Sequence, residues 1–507
     1  MTAVLDANRP DLTLGLVGSG TMGRGIAQIA AAAGCRVLVH DAREGAAAEA
    51  RDHVDSMFAK LAEKGRMTAD AAAAAAARIE VAAELAALAP CHVVVEAIVE
   101  DLEAKRALFT ALEAIVGETC VLATNTSSLS VTAIAARCRR PGRVAGFHFF
   151  NPVPLMKIVE VIDGVVGEAW VAEALVALTR RMGHQPVRAK DTPGFIVNHA
   201  GRGFGTEALR ILQEGVAEHP AVDRVLREAA GFRMGPFELL DLTGLDVSHP
   251  VMESVYEQYY HEPRFRPSPI TRQRLLAGLL GRKTGRGFYD YAAGAVPPAP
   301  PPAPAARPAT VWVAPGEYRQ AVADLAARLG ATVESGERPG DRALCMVAPL
   351  GEDATSAAIR LGLDARRVVG IDPLFGLDRH RTLMTTPATE AAMRDAAHGL
   401  FAADGAAVTV IHDSPGFIAQ RVVATIVNIG CEIAQQRVAT PDDIDRAVTL
   451  GLAYPKGPLA WGDALGPRRV LAVLEAMLAI TGDPRYRPSP WLRRRALLDL
   501  SLTTTEG

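Results

Sequence analysis

With 507 residues, 49% of them hydrophobic, and a formal net charge of −3, the chain is long enough for about three to four domains with several packed cores. No polybasic face accompanies that charge, which argues against nucleic acid as a partner. The six cysteines, at 35, 91, 120, 138, 345 and 431, stand singly with no CxxC pair or Cys/His cluster, so neither a disulfide framework nor a metal site is expected.

The first twenty residues, "MTAVLDANRPDLTLGLVGSG", place Asp and Pro ahead of the apolar run and have no basic region before it. They predict no secretory signal. No run of about 18 apolar residues escapes interruption by charge or glycine, so no membrane association is expected and a cytoplasmic protein is. "LTLGLVGSG" (Leu12–Gly20) reads as a buried parallel strand ending in glycines, and "RVLVHD" (Arg36–Asp41) as a second. The Ala71–Ala77 tract is the middle of a helix, alanine being the best helix former. "CHVVVEAI" (Cys91–Ile98), "CVLATNTS" (Cys120–Ser127) and "RVAGFHFF" (Arg143–Phe150) are three further strands, with Ala/Leu-rich helical segments between. Such alternation predicts an α/β Rossmann domain over 1–190, with a doubly wound, mostly parallel sheet. From about residue 194 to 291 strand signals vanish and amphipathic patterns dominate, giving an all-α domain over 191–292.

"AVPPAPPPAPAARPA" (Ala295–Ala309) favours extended polyproline conformation and predicts a linker over 293–309. Beyond it the plan repeats. "DTPGFIVN" (Asp191–Asn198) returns as "DSPGFIAQ" (Asp413–Gln420), and the same spacing of 222 residues relates Asp223 to Asp445, Asp241 to Asp463 and Gly244 to Gly466. The helical domain is therefore duplicated over 413–507. "RVAGFHFFNP" at 143 is echoed by "RVVGIDPLFG" at 367, so 310–412 is expected to be a degenerate Rossmann-like copy. In that copy Asp372 stands opposite His148, Gln420 replaces Asn198, and the glycine fingerprint is missing. The second half is expected to keep the fold and lose catalysis.

Gly18-Ser19-Gly20-Thr21-Met22-Gly23 fits G-x-G-x-x-G at the end of a predicted strand and the start of a helical run. Gly18 permits the tight turn, Gly20 lets a pyrophosphate approach, and Gly23 lets the helix pack on the strand. Thr21 and Met22 begin the helix whose free N–H groups face the anion. Asp41, 21 residues beyond Gly20, suits the ribose 2′-hydroxyl and repels a 2′-phosphate. NAD is expected over NADP, although Arg43 stands nearby. Oxidising an alcohol also needs a base, and His148 lies at a strand end with Glu160 twelve residues on, suited to holding the imidazole in one tautomer.

"GFHFFNPVPLMKIVEV", with "NTSSLS" upstream, "DTPGFIVN" downstream and "GRKTGRGFYDY" at its end, resembles the 3-hydroxyacyl-CoA dehydrogenase family over nearly all of residues 12–291. The resemblance implies an NAD-dependent oxidoreductase acting on an acyl-CoA, with His148 as base and Glu160 as its partner. It implies that Ser127 and Asn198 hydrogen-bond the substrate oxygen or support the base, and that Ser127 and Asn151 lie near the nicotinamide ribose. Glu100, Lys105 and Lys283 match further NAD contacts, and Lys64 a CoA-contacting lysine. Members commonly pair their helical domains across a dimer, so a homodimer or homo-oligomer is expected, or a second copy that supplies the pairing within one chain. Arg202, four residues after Asn198, shares its helical face and could read a carboxylate at the far end of a dicarboxylic acyl chain. The same catalytic set would serve a short straight-chain substrate. A non-catalytic NAD-binding scaffold would have no need of the base.

Overall fold

The computed structural model describes residues 5–296 and 298–506; Pro297, in the predicted linker, lies outside them. The five expected strands of the first half are present, shortened at their ends: β1 (Thr13–Val17), β2 (Arg36–His40), β4 (Val93–Glu96), β5 (Val121–Thr124) and β6 (Val144–Phe149). Three more join them: β3 (Ile79–Val81), β7 (Ile158–Asp163) and β8 (Gln185–Lys190). The order is β3-β2-β1-β4-β5-β6-β7-β8, and every pair is parallel except β6–β7, where His148 stands opposite Glu160. Leu14 and Leu16 of β1, with Val93 and Val95 of β4, enter the core on one face. Val17 and Val94 enter the core on the other. Burial of alternate residues on both faces is what makes these strands read as continuous apolar runs.

The second half holds a six-stranded sheet: β9 (Val311–Val313), β10 (Val333–Glu334), β11 (Leu344–Val347), β12 (Val368–Ile371), β13 (His380–Thr385) and β14 (Ala407–Ile411), ordered β10-β9-β11-β12-β13-β14. It is parallel except at β12–β13, the same exception in the same place relative to its outer strand. Two strands fewer are present, and no glycine loop follows β9.

The boundaries of the compact units differ from the predicted ones. One unit runs to His199 and takes in Gln436–Leu452; the other comprises Ala200–Gln435 and the residues from Ala453 on. The physical reason is an exchange of backbone pairing. In the first unit Lys190 at the end of β8 donates its N–H to Val438 O at 2.9 Å, and the helix Pro441–Gly451 covers the outer strand, Asp443 accepting from Arg188 N. In the second unit His412 beyond β14 donates to Val216 O at 3.0 Å, and the helix His219–Glu228 covers that strand. Both contacts sit at the 222-residue spacing. One edge of each sheet, at β8 and at β14, which would otherwise present unpaired backbone groups, meets a segment from the other half of the chain.

Within the second unit the helices Arg202–Gln213 and Ile418–Gln435 pack together, Gly203 fitting against Ile426 and Ile429. Ile418–Gln435 is buried almost along its whole length, and its buried Gln420, Arg421 and Asn428 are hydrogen-bonded inside. Here the two helical domains pair inside one chain. Residues 293–309 contain no helix or strand among the described residues, yet part of the stretch is packed: a Cβ on Gly399 would come within 2.2 Å of Ala306 O and 2.6 Å of Pro304 O. The strap rests in a notch that only glycine leaves open.

Candidate active site and cofactor site

The two octapeptides share one structural role. Asp191 accepts hydrogen bonds from Ser130 Oγ (2.7 Å), Val131 N (3.1 Å) and Thr132 N (2.7 Å), at the start of a helix that follows β5. Asp413 does the same for Ala354 N (2.8 Å), Thr355 N (3.2 Å) and Thr355 Oγ1. The shared Asp is a helix cap, and the shared glycine is a left-handed turn, at φ +75° for Gly194 and +78° for Gly416. The repeat is therefore architectural. Chemistry enters where the copies differ.

In the first half the turn delivers the N–H groups of Ile196 and Val197, each 2.9 Å from Glu160 Oε1. The other oxygen, Oε2, lies 2.6 Å from His148 Nδ1. Glu160 is fully buried and His148 4% exposed. A carboxylate only accepts, so Nδ1 carries the proton and Nε2 presents its lone pair. Phe150 and Phe195 pack on the imidazole, at 4.4 and 5.7 Å between centroids. Ser127 and Asn198 are brought together, Asn198 Nδ2 lying 3.5 Å from Ser127 O. The Ser127 loop is fixed by Glu100, whose Oε1 accepts from Thr126 Oγ1, Ser127 N and Ser128 N at 2.7–3.0 Å. Burial opposes the charge on Glu100, but these bonds and Lys105 outweigh it and hold the carboxyl below its usual range.

Lys105 is buried, its Nζ 2.5 Å from Glu96 and 3.3 Å from Glu100. It reaches the loop through those carboxylates. Glu96 was not among the expected residues; it is fully buried at the end of β4 and also accepts from Thr124 Oγ1 and Ile98 N. An acid closing the apolar run "VVVE" was its signal in the sequence. The Ile196 and Val197 amides left no signal, being backbone. Lys283 belongs to the second unit, where it pairs with Asp246 at 2.5 Å. Arg202 opens the helix Arg202–Gln213 in that unit; burial pushes its guanidinium down from the ordinary value, with Tyr454 pulling the other way.

The glycine loop fits a dinucleotide. Gly18 has φ +96°, and a Cβ there would lie 2.5 Å from Ala97 O; one on Gly23 would lie 1.9 Å from Gly18 O; one on Gly20 would meet nothing within 4 Å. The first two close the turn on the strand and helix, while Gly20 leaves room for an incoming phosphate. Thr21 and Met22 begin the helix Thr21–Ala32. Asp41 accepts from Ser19 N and Ser19 Oγ, both at 2.7 Å, and from Arg43 N at 2.9 Å. Burial opposes its charge, and the three bonds overcome that and hold its pKa down. The Arg43 guanidinium is engaged by Glu49 at 2.7 Å, which leaves Asp41 to set the preference for a ribose hydroxyl.

Beside the loop a cavity of about 780 Å³ runs past Asn151 and is rimmed by Arg24, Lys60, Lys64, Arg66 and Lys157. Of these only Lys64 was expected. Among the described residues no helix is long and apolar enough to cross a membrane.

In the second half the equivalent place is closed. Asp372 follows β12 and pairs with Thr382 on β13, as His148 pairs with Glu160. Gln420, fully buried, donates to Asp372 Oδ1 (2.9 Å) and Pro349 O (3.2 Å) and accepts from Gly351 N (2.9 Å). Where the first half has His148, Glu160 and Asn198, the second has Asp372, Thr382 and Gln420. Burial pushes Asp372 up to about 6 despite its bonds from Gln420 and Leu374. Its folded pKa exceeds its unfolded one, so its contribution is full below the unfolded value and lost as pH rises through about 6. Asp372→Asn is expected to raise the unfolding midpoint at pH 8, by up to about 3 kcal/mol, and to change little at pH 4. Identical pH dependence of unfolding in the two proteins would refute this.

A dinucleotide cradle and a buried His–Glu pair on one doubly wound sheet define a nicotinamide-dependent dehydrogenase. The family model described as "3-hydroxyacyl-CoA dehydrogenase, NAD binding domain" matches residues 13–192, and "3-hydroxyacyl-CoA dehydrogenase, C-terminal domain" matches 194–291 and again 416–506. The chain belongs to the 3-hydroxyacyl-CoA dehydrogenase family, and its cofactor is NAD. It is 40% identical over 491 residues to "3-hydroxyadipyl-CoA dehydrogenase" of Escherichia coli (strain K12), covering 96% of this chain and 98% of that one. It is 39% identical over 284 residues to the human "Hydroxyacyl-coenzyme A dehydrogenase, mitochondrial", which spans 54% of this chain. A crystal structure of a 3-hydroxybutyryl-CoA dehydrogenase from Escherichia coli K12 superposes with a TM-score of 0.86 at 38% identity, over 96% of this chain and 98% of the other.

Proposed function

We propose that the protein oxidises (3S)-3-hydroxyadipyl-CoA to 3-oxoadipyl-CoA, a step of bacterial phenylacetate breakdown. The observation that carries the chemistry is the buried His148–Glu160 pair with Nε2 left as acceptor. Held by the glycine loop and Asp41, NAD⁺ would supply the acceptor for the hydride of the carbinol carbon. His148 Nε2 removes the hydroxyl proton, and Glu160 stabilises the imidazolium that forms while keeping the ring oriented. Ser127 and Asn198 hold the substrate oxygen, which gains double-bond character as the proton leaves. Gly18, Gly20, Thr21, Met22 and Gly23 cradle the pyrophosphate and Asp41 takes the adenosine ribose. Glu100, backed by Lys105, sets the Ser127 loop beside the nicotinamide ribose with Asn151; Lys283 is a further NAD contact. Lys64 and its cationic neighbours on the 780 Å³ cavity suit the phosphates of CoA.

The adipyl chain is supported by the likeness to the Escherichia coli 3-hydroxyadipyl-CoA dehydrogenase along nearly all of both chains, and by Arg202, a desolvated cation suited to a distal carboxylate. The structural relative named for 3-hydroxybutyryl-CoA supports the second reading, a short-chain substrate. We read residues 310–507 as a degenerate copy of the first half, retained to pair the helical domains. The deciding experiment is NADH-forming turnover on hydroxyadipyl-CoA and hydroxybutyryl-CoA, side by side, for wild type and Arg202→Leu. A loss of tenfold or more confined to the adipyl substrate is expected, about 1.4 kcal/mol in transition-state binding. Equal losses on both substrates would exclude Arg202 as the reader. Wild-type preference for the butyryl substrate would move the protein to the second reading.

A further inference from the structure

A second cavity, about 710 Å³, lies within the second unit and shares no residue with the dehydrogenase site. The proline strap 298–304 forms one wall, the start of the helix His219–Glu228 another, and Val408, Thr409 and Val410 of β14 line it as well. Apart from the strap's prolines the lining includes Val216, Pro220 and Ala221, so most of it is apolar.

One cation stands out there. Arg224 is half-buried, and its Nε and Nη2 both donate to the single oxygen of Thr409 Oγ1, at 3.3 and 2.9 Å. Among the described residues no ion pair to a carboxylate is made by this guanidinium. Glu228, on its own helix, is engaged by His380 at 2.7 Å. Arg394, also on the lining, is paired with its neighbour Asp395 at 2.9 Å. A guanidinium has five N–H donors in a planar fork, and sharing two of them on one hydroxyl leaves the fork without a matching anion. Burial disfavours its charge and Glu228, four residues on, supports it without an ion-pair contact; a desolvated cation with no carboxylate in its fork is costly. An open cavity at its side lets a ligand supply what the fold does not.

We propose that this cavity is a binding site for a small organic anion, its carboxylate or phosphate group on Arg224 and its apolar body between the proline strap and Val408 and Val410. The site is independent of the dehydrogenase reading, because none of the residues that line it has a part in that reading. Closure of the notch at Gly399 fixes the strap that forms its wall.

The test is isothermal titration of the full chain, saturated with NAD⁺, with benzoate and with phenyl phosphate, and with inorganic phosphate as head group alone. Binding of benzoate or phenyl phosphate, weakened at least tenfold by Arg224→Met, is the expected result. Benzoate alone marks the carboxylate as the head group, phenyl phosphate alone the phosphate. Inorganic phosphate binding as tightly as phenyl phosphate would overturn the apolar half of the proposal. Should Arg224→Met fail to fold, Val410→Trp, which fills the cavity and keeps the cation, is expected to abolish binding. No binding by any probe, or unchanged binding in the variant that folds, overturns the site.

Discussion

Replacing His148 by Gln is expected to lower kcat by about 10²–10⁴-fold, the range general-base catalysis contributes, while leaving NAD affinity within a factor of two. The contacts proposed above for the cofactor do not pass through the imidazole. Glu160→Gln is the sharper experiment. The Glu160 carboxylate accepts from His148 Nδ1, Ile196 N and Val197 N. An amide has one oxygen to offer, so its NH₂ must face one of these donors. Either the turn at 194–197 loosens or the imidazole is driven to the tautomer with its proton on Nε2, which cannot act as base. Loss of kcat by about 100-fold or more is expected, together with a displaced pH profile, because the charge that stabilises the imidazolium is gone. Steady-state rates from pH 5 to 9 decide it. Activity within threefold of wild type and an unmoved profile would remove Glu160 from the mechanism.

The largest stability effect is expected at Arg421. It is 1% exposed, as is Glu207, and joins Glu207 (2.7 Å), Glu214 (2.8 Å), Ser414 Oγ (2.9 Å) and Tyr486 OH (3.1 Å). Burial opposes its charge and the two carboxylates overwhelm that, pushing its pKa up. Arg421→Met leaves the buried Glu207 with only the longer pair to Arg485 (3.7 Å) and the Tyr486 hydroxyl, and breaking such a buried pair costs about 3–5 kcal/mol. Adding Glu207→Gln is expected to restore much of the loss. Denaturant midpoints of the three proteins, followed by far-ultraviolet circular dichroism, measure both effects. The chain has more than one unit, so the comparison rests on the transition that moves and not on one global free energy. Unchanged midpoints would show that the network contributes nothing. The same network binds the helix Arg202–Gln213 to Ile418–Gln435, so it is the point at which the two helical domains are locked.

The parts legible in the sequence are those where chemistry demands a side chain. The hexapeptide at 18–23 and Asp41 take the positions a dinucleotide requires. His148 and Glu160 were readable as a pair although β7 was not read as a strand. The β6–β7 register that sets them opposite each other is a tertiary fact. Thr382 escaped because Asp372 and its partner are ten residues apart, against twelve for His148 and Glu160. Asp372 lies 224 residues beyond His148, but Thr382 lies 222 beyond Glu160. The compact units cut across the predicted domains because the exchange at Lys190–Val438 and His412–Val216 is made by backbone groups far apart in sequence. The linker's composition predicted a segment unable to build a core. It did not predict that the segment would lie against Gly399.

The exchange of edge-covering segments carries a consequence for mass action. Subunits that complete each other across a dimer separate on dilution, and their stability is tied to protomer concentration. Joined in one chain, the completing segment is present at an effective concentration fixed by the tether, of the order of millimolar for a short flexible one, however dilute the protein becomes. Two identical subunits must also share one sequence, so neither site can change without the other. Placing both halves in one polypeptide removes that constraint. On the reading proposed above, Asp372, Thr382 and Gln420 are free to hold plain structural places while His148 keeps the base's.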